Sequence, residues 1–369
     1  MPNVVFNLIV ADEALLSREA LLAAAKARYK SESTIARYTE YFDRLQARDL
    51  PIILSFRHLA DVLGVASPKL RAMSYATSLF YRSFHIPKRS GGQREISAPV
   101  PELSMIQRWI AVNILNRLTV DLSNAAMAYV PGRSIVSHVD CHLSSRQLVK
   151  LDLRDFFPSI TTSHVFDLFF DAGYSVGVAR TLAALTTANG SLPQGAPSSP
   201  AISNLVLRRF DTSVAVVCDE YQLRYTRYAD DIVISGELVQ DIQHRVSSIA
   251  AEYGFQLNYK KSKTYLDPES PRLVTGLLIQ NGRARLPKSS RRRIRAQAHY
   301  YARVLAGLLD GEARQSPQGV EPRHPADSFD DVLFPERILG RLQFWSWVEA
   351  DNPYPPKAMS DLKAMLARL

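Results

Sequence analysis

Two adjacent aspartates, Asp230 and Asp231, lie between two segments that both have the composition of β-strands. The stretch TRYADDIVISG (226–236) is rich in aromatic and β-branched side chains, which favour an extended backbone. This pattern predicts a β-hairpin that carries both acids at its tip. Because neighbouring carboxylates repel each other, we expect a basic side chain or a metal cation close to the tip.

A third carboxylate lies on a predicted inner strand. In QLVKLDLRDFFPSI (147–160), strand alternation turns Val149 and Leu151 to one face and Lys150 and Asp152 to the other. An ion pair with a nearby arginine would explain such an acid. The alternative is that Asp152 meets the acids of the hairpin around divalent cations, as in sites for phosphoryl transfer. The residues alone leave both interpretations open.

Adjacency of two acids is not diagnostic, because Asp330 and Asp331 are also neighbours, in SFDDVLFP. That second pair lies in a loop with several prolines and has no predicted strand on either side. We interpret it as a solvated turn or a helix cap.

The residues between Asp152 and the hairpin predict a loop followed by a helix. In GSLPQGAPSSPAISNLVLRRF (190–210), Pro200 suits the first turn of a helix that Ser198 or Ser199 would cap. Gly195, in the preceding loop, would allow two backbone segments to approach closely.

Composition limits the class of protein. With 369 residues, no apolar run that could cross a bilayer and no secretory leader, the chain is expected to be soluble and without a membrane partner. Its two cysteines, Cys141 and Cys218, suit a reducing, cytoplasmic location. The formal charge of +9 favours an anionic partner, for which nucleic acid is the leading candidate.

Six segments occur in the order of the successive motifs of reverse transcriptases, and together they resemble that family over roughly residues 80–285. They are IPKRSGGQREISAP, LDLRDFFPSI, LPQGAPSSP, YADD, GFQLNYKKSK and VTGLLI. The resemblance implies RNA-directed DNA polymerase activity and an α+β, right-hand polymerase fold. Its palm would be a split βαβ, ferredoxin-like sheet. With the helical patterns near the N-terminus, we predict a helical extension (1–75), fingers and palm (76–285) and a helical thumb (286–369) that binds template-primer and RNA.

The resemblance also assigns roles to individual residues. Asp152, Asp230 and Asp231 would be catalytic and would hold two Mg²⁺ ions, which fits the preference of magnesium for hard oxygen ligands. Phe157 would exclude a ribose 2′-hydroxyl, although core packing beside Phe156 is the alternative.

The other nucleotide-binding residues that the resemblance implies are Lys88, Arg94, Gln194, Gly195 and Lys261. Lys260 and Lys263 compete for the role of Lys261. Ordinary solvated charges, and a surface turn at Gln194 and Gly195, are the alternatives.

Four arginines crowd the start of the predicted thumb helix, which Ser289 or Ser290 would cap: Arg291, Arg292, Arg293 and Arg295. The helix dipole disfavours cations at this end by about 0.3–1 kcal/mol each. Nucleic-acid phosphates would offset that cost, so we predict template-primer binding here. A solvated basic face with acids nearby is the alternative.

Within the family, AYVPGRSI and the VTG at 274–276 look most like the bacterial retron group. Such an enzyme starts from a guanosine 2′-hydroxyl of a partner noncoding RNA and makes RNA-linked DNA (msDNA). Many act in antiphage defence with an effector protein. This chain departs from the group at SHVDCH (137–142), where the usual motif is Asn-Ala-x-x-His: His138 and Val139 replace the first two residues. We do not expect zinc there, because His138, Cys141 and His142 do not complete four ligands.

Two rival interpretations stay open. One is a different bacterial reverse transcriptase, of the group II intron or diversity-generating kind. The other is a catalytically idle polymerase fold that serves as an RNA-binding scaffold, against which the three aspartates argue.

Overall fold

The computed structural model of the protein describes residues 17–28, 31–87, 91–238, 240–309 and 335–368. Helices and short strands occur together in these ranges, so the predicted α+β class is confirmed. None of the helices in the described part of the chain is long and apolar enough to cross a membrane.

The helices are numbered in chain order. They are α1 (Arg18–Arg28), α2 (Glu32–Gln46), α3 (Phe56–Val62), α4 (Ser67–Tyr75), α5 (Pro101–Asn113), α6 (Ile135–Asp140), α7 (Phe156–Ser159), α8 (Thr162–Asp171), α9 (Val176–Thr186), α10 (Ser199–Val206), α11 (Arg208–Glu220), α12 (Ile242–Glu252), α13 (Lys288–Leu309), α14 (Pro335–Val348) and α15 (Tyr354–Leu366). Two 3₁₀ helices cover Thr77–Phe80 and Leu115–Asp121.

The strands are β1 (Tyr81–Pro87), β2 (Gln93–Pro99), β3 (Gln147–Asp152), β4 (Arg224–Tyr228), β5 (Asp231–Gly236), β6 (Lys263–Tyr265), β7 (Arg272–Val274), β8 (Leu277–Gln280) and β9 (Arg283–Arg285). Within the described residues they form three sheets, ordered β1-β2, β4-β5-β3-β6 and β7-β8-β9. Strands β1 and β2 are antiparallel, with Tyr81 opposite Pro99 and Ile86 opposite Arg94.

The two central strands of the four-stranded sheet are its most apolar ones. Ile232, Val233 and Ile234 of β5 are all fully buried, as are Val149 and Leu151 of β3. Consecutive buried residues are typical of strands that are covered on both faces. The ends of these strands, rather than their middles, therefore carry the polar chemistry.

Helices α1 to α4 hold most of the described residues before position 76, as the helical patterns predicted. Ser55 is the N-cap of α3, as predicted: its hydroxyl accepts a hydrogen bond of 3.2 Å from the backbone N–H of His58. The hydroxyl of Tyr41 on α2 donates to the carbonyl of Ile53, at 2.6 Å, and so attaches α2 to the segment before α3.

The chain divides into two compact units. The first takes its residues from Met1–Gly132, Leu151–Ile232 and Val239–Lys263, and the second from Arg133–Lys150, Val233–Leu238 and Thr264–Leu369. Every described residue that we predicted to be catalytic or to bind the nucleotide belongs to the first unit, and the four arginines of α13 belong to the second. The division into extension, fingers with palm, and thumb stays a prediction.

The second unit has an apolar core that helices α13, α14 and α15 share. Ile294 and Tyr301 of α13, Leu342 and Trp345 of α14 and Leu362 of α15 are all buried in it.

The predicted serine cap of α13 is wrong. Ser289 and Ser290 lie inside the first turn, because the helix begins at Lys288 and its early hydrogen bond runs from the N–H of Arg291 to the carbonyl of Pro287, at 3.0 Å. Ser198 does stand before α10 and Pro200 lies in its first turn, but the Ser198 side chain makes no cap hydrogen bond.

Candidate active site

The predicted hairpin and the position of its acids are confirmed. Strands β4 and β5 are neighbours in the sheet and only Ala229 and Asp230 connect them, a connection so short that the strands must be antiparallel. Ala229 has a φ of 56°, in the left-handed region. Asp230 therefore lies in the turn itself, and Asp231 is the first residue of β5.

Asp152 meets this turn, as we predicted. It is the last residue of β3, which neighbours β5 in the sheet, and its side chain is almost completely buried. The backbone N–H of the next residue, Leu153, donates to the carbonyl of Asp230 at 3.0 Å. Asp152, about 80 residues before the hairpin in the sequence, thus lies at the same end of the two central strands as Asp230 and Asp231.

Lys261 is the positive partner of these acids. Its ammonium group donates to both carboxylate oxygens of Asp152, each at 3.0 Å. The N–H of Asn258 donates to the carbonyl of Asp152 at 2.7 Å and so holds the loop that carries the lysine against β3. Of the lysines that competed in the sequence, the structure brings Lys261 to the site.

The surroundings of Asp230 change its pKa. The pKa of Asp230 is raised to about 6, chiefly by burial and then by the negative charges of Asp231 and Asp152, while Lys261 opposes the shift. At Asp230, burial and the two neighbouring carboxylates therefore outweigh the effect of Lys261.

Asp230→Asn is expected to stabilise the metal-free protein at neutral pH. The pKa of Asp230 is raised in the folded state, from 3.8 to about 6, so the group favours folding below about pH 4 and loses that contribution as the pH rises through 6. Asparagine stays uncharged at every pH and so avoids the cost of a buried charge at this position. Compared with the unmodified protein, its free energy of unfolding should therefore be higher by about 1–3 kcal/mol at pH 7 and hardly different at pH 4. Thermal unfolding in EDTA measures both values. The exposed Asp219→Asn is the control, and an equal gain at both pH values would contradict the prediction.

The site fits divalent cations by its donor chemistry. Carboxylate oxygens are hard ligands, and Asp152, Asp230 and Asp231 carry more negative charge than Lys261 neutralises. In the described part of the chain, no three His, Cys, Asp or Glu side chains are already gathered closely enough to hold a metal ion. The ammonium group of Lys261 occupies both oxygens of Asp152 instead, so cation binding would require this pair to open or shift.

Within the unit that contains the three acids, the loop before α10 approaches strand β2 closely. The N–H of Ser97 on β2 donates to the carbonyl of Gln194 at 2.8 Å. Gly195 has a φ of 124°, and a Cβ atom there would lie 2.9 Å from Cγ2 of Ile96. The predicted need for glycine at this close approach is confirmed. Arg94 lies exposed on the same strand β2, whereas Lys88 lies outside the described residues.

The two phenylalanines after Asp152 take different places. Phe156 is buried, and Phe157 beside it is only half-buried, with the ring centroids 5.1 Å apart and the rings edge to face. Phe156 thus fills the core position that was the alternative for Phe157. The role of Phe157 as a gate against ribose stays a prediction.

Tyr129 was missed by the sequence reasoning. Its side chain is 48% exposed, and its φ of 59° is unusual for an aromatic residue. Partial burial raises its pKa, and so do the nearby Asp230 and Tyr228, whereas Arg94 opposes the shift. Tyr129 is therefore an exposed ring near the acids, and a left-handed backbone at a tyrosine has no signal in the sequence.

The four arginines of α13 have different surroundings. Arg295 lies over the rings of Trp345 and Tyr354, 5.2 and 5.0 Å from their centroids, and Arg291 lies 3.8 Å from the buried carboxylate of Glu349. Arg292 and Arg293 are exposed. Arg291 thus has an acid nearby and Arg295 packs on aromatic rings, and binding of template-primer by the four arginines stays a prediction.

Replacing Arg292 and Arg293 by alanine is expected to flatten the salt dependence of RNA binding. Each lost phosphate contact removes about 0.7–0.9 from the slope of log K against log salt. The matched variant Arg291→Ala/Arg295→Ala should instead lower the free energy of unfolding by about 1–2 kcal/mol, because it loses the ring contacts. Binding titrations at several salt concentrations measure the slope, and an unchanged slope in the first variant would contradict the prediction.

The histidines of SHVDCH lie in the interior of the second unit. His138 and His142 are both fully buried, and Nδ1 of His142 shares a hydrogen bond of 2.6 Å with the hydroxyl of Ser235 on β5. Burial, followed by the charges of His142 and Lys150, lowers the pKa of His138 to about 3, so its ring is neutral. His138 is therefore a neutral buried ring, and His142 contacts β5 through the hydroxyl of Ser235.

Comparison with known proteins agrees with this geometry. Residues 86–296 match the family described as reverse transcriptase (RNA-dependent DNA polymerase). The retron Ec86 reverse transcriptase of Escherichia coli is 30% identical over 270 residues, which cover 72% of this chain and 83% of that protein.

Two relatives from Myxococcus xanthus are also similar. The retron Mx65 reverse transcriptase is 37% identical over 280 residues, covering 69% of this chain, and the retron Mx162 reverse transcriptase is 31% identical over 318 residues, covering 75% of it. The matches span 64% and 65% of the lengths of these two proteins. The family match and the relatives lead to one conclusion: the chain belongs to the reverse transcriptase family and is of the bacterial retron type.

Proposed function

We propose that this protein is an RNA-directed DNA polymerase that extends a primer by nucleotidyl transfer. The observation that carries the proposal is the hydrogen bond of 3.0 Å from the N–H of Leu153 to the carbonyl of Asp230, which joins the end of β3 to the hairpin turn. Membership of the reverse transcriptase family supports it. An acid cluster with excess negative charge suits a reaction in which cations stabilise a transferring phosphoryl group.

In this proposal Asp152, Asp230 and Asp231 hold two Mg²⁺ ions. When bound, such ions supply Lewis-acid stabilisation of the attacking hydroxyl and of the departing pyrophosphate. Lys261 contributes a positive charge that balances Asp152 when the cations are absent. The protein's own task is to hold three carboxylates at fixed positions, which the sheet ends and the hairpin turn do.

The nucleotide would be bound by residues of β2, α7 and the loop before α10. Arg94, with Lys88, would contact the triphosphate, since cations balance its charge before and during transfer. Phe157 is half-buried, follows Asp152 by five residues and would pack under the sugar. Gln194 and Gly195 would shape the pocket, and their packing on β2 supports this assignment.

The template would be a partner noncoding RNA, part of which the enzyme copies into single-stranded, RNA-linked DNA (msDNA). The relatives named above are retron reverse transcriptases, which supports this finer assignment. The formal charge of +9 suits an RNA partner. We further propose that the system acts in antiphage defence with an effector protein.

A primer-extension assay tests the proposal. Purified protein is incubated with primed RNA, deoxynucleotides and Mg²⁺, and incorporation is compared with and without EDTA. Metal-dependent incorporation supports the enzyme. Tight RNA binding without any incorporation would instead support the idle scaffold. Sequencing of copurified nucleic acid separates a retron RNA with attached DNA from the template of another reverse transcriptase.

A further inference from the structure

A charged pair is completely buried behind the turn that carries Asp230. Arg227 belongs to β4 and Asp211 to the first turn of α11, and neither side chain has any exposed surface. Two parallel hydrogen bonds join them, Nε to Oδ1 and Nη2 to Oδ2, both 2.7 Å long. The hydroxyl of Tyr225 adds a third bond to Oδ1, at 2.6 Å. Because burying two charges is costly, such a pair is weak evidence for stability by itself and suggests another role.

The remaining part of the guanidinium group contacts the turn. Nη1 of Arg227 donates to the carbonyl of Ala229 at 3.0 Å. Ala229 immediately precedes Asp230 and has a left-handed φ of 56°, which residues other than glycine rarely adopt. The surrounding structure must therefore stabilise this backbone, and the contact from Arg227 is aimed at the peptide that links the two residues.

The backbone of Arg227 is itself held by hydrogen bonds to residues 125 and 127. Its N–H donates to the carbonyl of Ala125 and its carbonyl accepts from the N–H of Met127, both at 2.7 Å. Asp211 fixes the other end of the side chain through two bonds, which a planar guanidinium can satisfy and an ammonium cannot. Neither end of Arg227 can shift without breaking buried hydrogen bonds.

We propose that Arg227 is a positioning residue, which Asp211 orients and which holds the Ala229 turn so that the carboxylate of Asp230 keeps its place beside Asp152. The catalytic consequence rests on the proposed polymerase function. The structural consequence, a rigid turn in the metal-free protein, does not depend on it. Arg227 itself contacts no substrate, because its side chain is fully enclosed.

The test compares a variant that loses the contact between Arg227 and Ala229 with a control variant that keeps it. In Arg227→Met/Asp211→Leu/Tyr225→Phe, the whole polar cluster is replaced by apolar groups, so no buried charge is left unpaired. The matched control Tyr225→Phe removes one hydrogen bond to Asp211 and leaves the contact between Arg227 and Ala229 intact. A second variant, Arg227→Lys, keeps the positive charge but loses the planar fork, and it serves if the triple variant does not fold.

Two readouts are measured on variants that circular dichroism and thermal unfolding show to be folded. We expect kcat to fall by about tenfold to a hundredfold in the triple variant, with the KM for deoxynucleotides within about twofold of the original value, because misplacement of a catalytic group slows chemistry rather than binding. In the metal-free protein, hydrogen exchange should become faster in peptides that cover residues 228–231. Tyr225→Phe should leave both readouts unchanged, and Arg227→Lys should show an intermediate effect.

The proposal is overturned if the folded triple variant keeps its kcat and its exchange at the turn, or if Tyr225→Phe loses as much kcat as the triple variant. A fall in kcat with unchanged exchange at the turn would also overturn it, because the effect would then not pass through Ala229. Absence of incorporation by the unmodified protein would refute the polymerase function, whereas the exchange comparison would still decide whether Arg227 holds the turn.

Discussion

Asp230→Asn is expected to reduce the rate of deoxynucleotide incorporation by about a thousandfold or more. Asparagine keeps the shape of the side chain and removes its charge, so the turn next to Leu153 should stay intact while the site loses a ligand for a cation. Cations at such sites contribute several kcal/mol to the stability of the transition state, and about 1.4 kcal/mol corresponds to a factor of ten in rate. Single-turnover primer extension at saturating Mg²⁺ measures the loss.

Asp330→Asn is the matched control for this variant, because Asp330 belongs to the other adjacent pair of acids in the chain. It lies outside the described residues, and its replacement should leave the rate within about twofold, as is usual away from a functional site. Residual activity of Asp230→Asn above about a tenth of the original rate would show that Asp230 does not hold a catalytic cation. The proposed function would then lose its principal support.

Gly195→Ala is expected to lower the free energy of unfolding by about 2–4 kcal/mol and to raise the KM for deoxynucleotides. Its φ of 124° disfavours any side chain, and the added Cβ would lie 2.9 Å from Ile96 and 3.0 Å from the carbonyl oxygen of Ser97. Because these atoms belong to β2, the loop must move away from the strand that carries Arg94. Denaturant unfolding and steady-state kinetics measure the two effects.

Substitutions at two other glycines separate the cost of the positive φ at Gly195 from the cost of its close contact with β2. Gly190 has a φ of 80° and nothing within 4 Å of an added Cβ, so Gly190→Ala should show only the backbone cost, of about 1 kcal/mol. Gly177 lies in α9 without a positive φ, and Gly177→Ala should be neutral or slightly stabilising. If Gly195→Ala proved no more harmful than Gly190→Ala, the close approach to β2 would not be tight.

Several features of the site could be predicted because they depend on local chemistry. The hairpin around Asp230 and Asp231 follows from β-branched and aromatic residues on both sides of two acids, and the glycine at 195 follows from the turn residues around it. The strand that ends in Asp152 follows from the strand composition of residues 147–152, although burial along it does not alternate. Each of these signals lies within a few neighbouring residues, so no knowledge of distant contacts was needed.

Other features depend on groups that are far apart in the chain. The sequence predicted Lys261 as the basic residue of the site but could not exclude Lys260 and Lys263. The hydrogen bond from Asn258 to Asp152 holds the loop so that Lys261 reaches the acid. The start of α13 could not be predicted from its serines, because Glu349 binds the N–H of Leu286, at 2.9 Å, just before the helix. Tertiary contacts outweigh the weak local preference of a serine for a capping position.

The sequence by itself determined the family, the α+β class and the identity of the three acids, because strand composition and ordered motifs are properties of short segments. Only the tertiary structure decided which groups surround those acids. Lys261 at Asp152, Arg227 behind Ala229 and Tyr129 near Asp230 are all brought in from other elements of the fold. Their positions depend on the packing of sheet ends against distant loops and helices, which no short segment encodes.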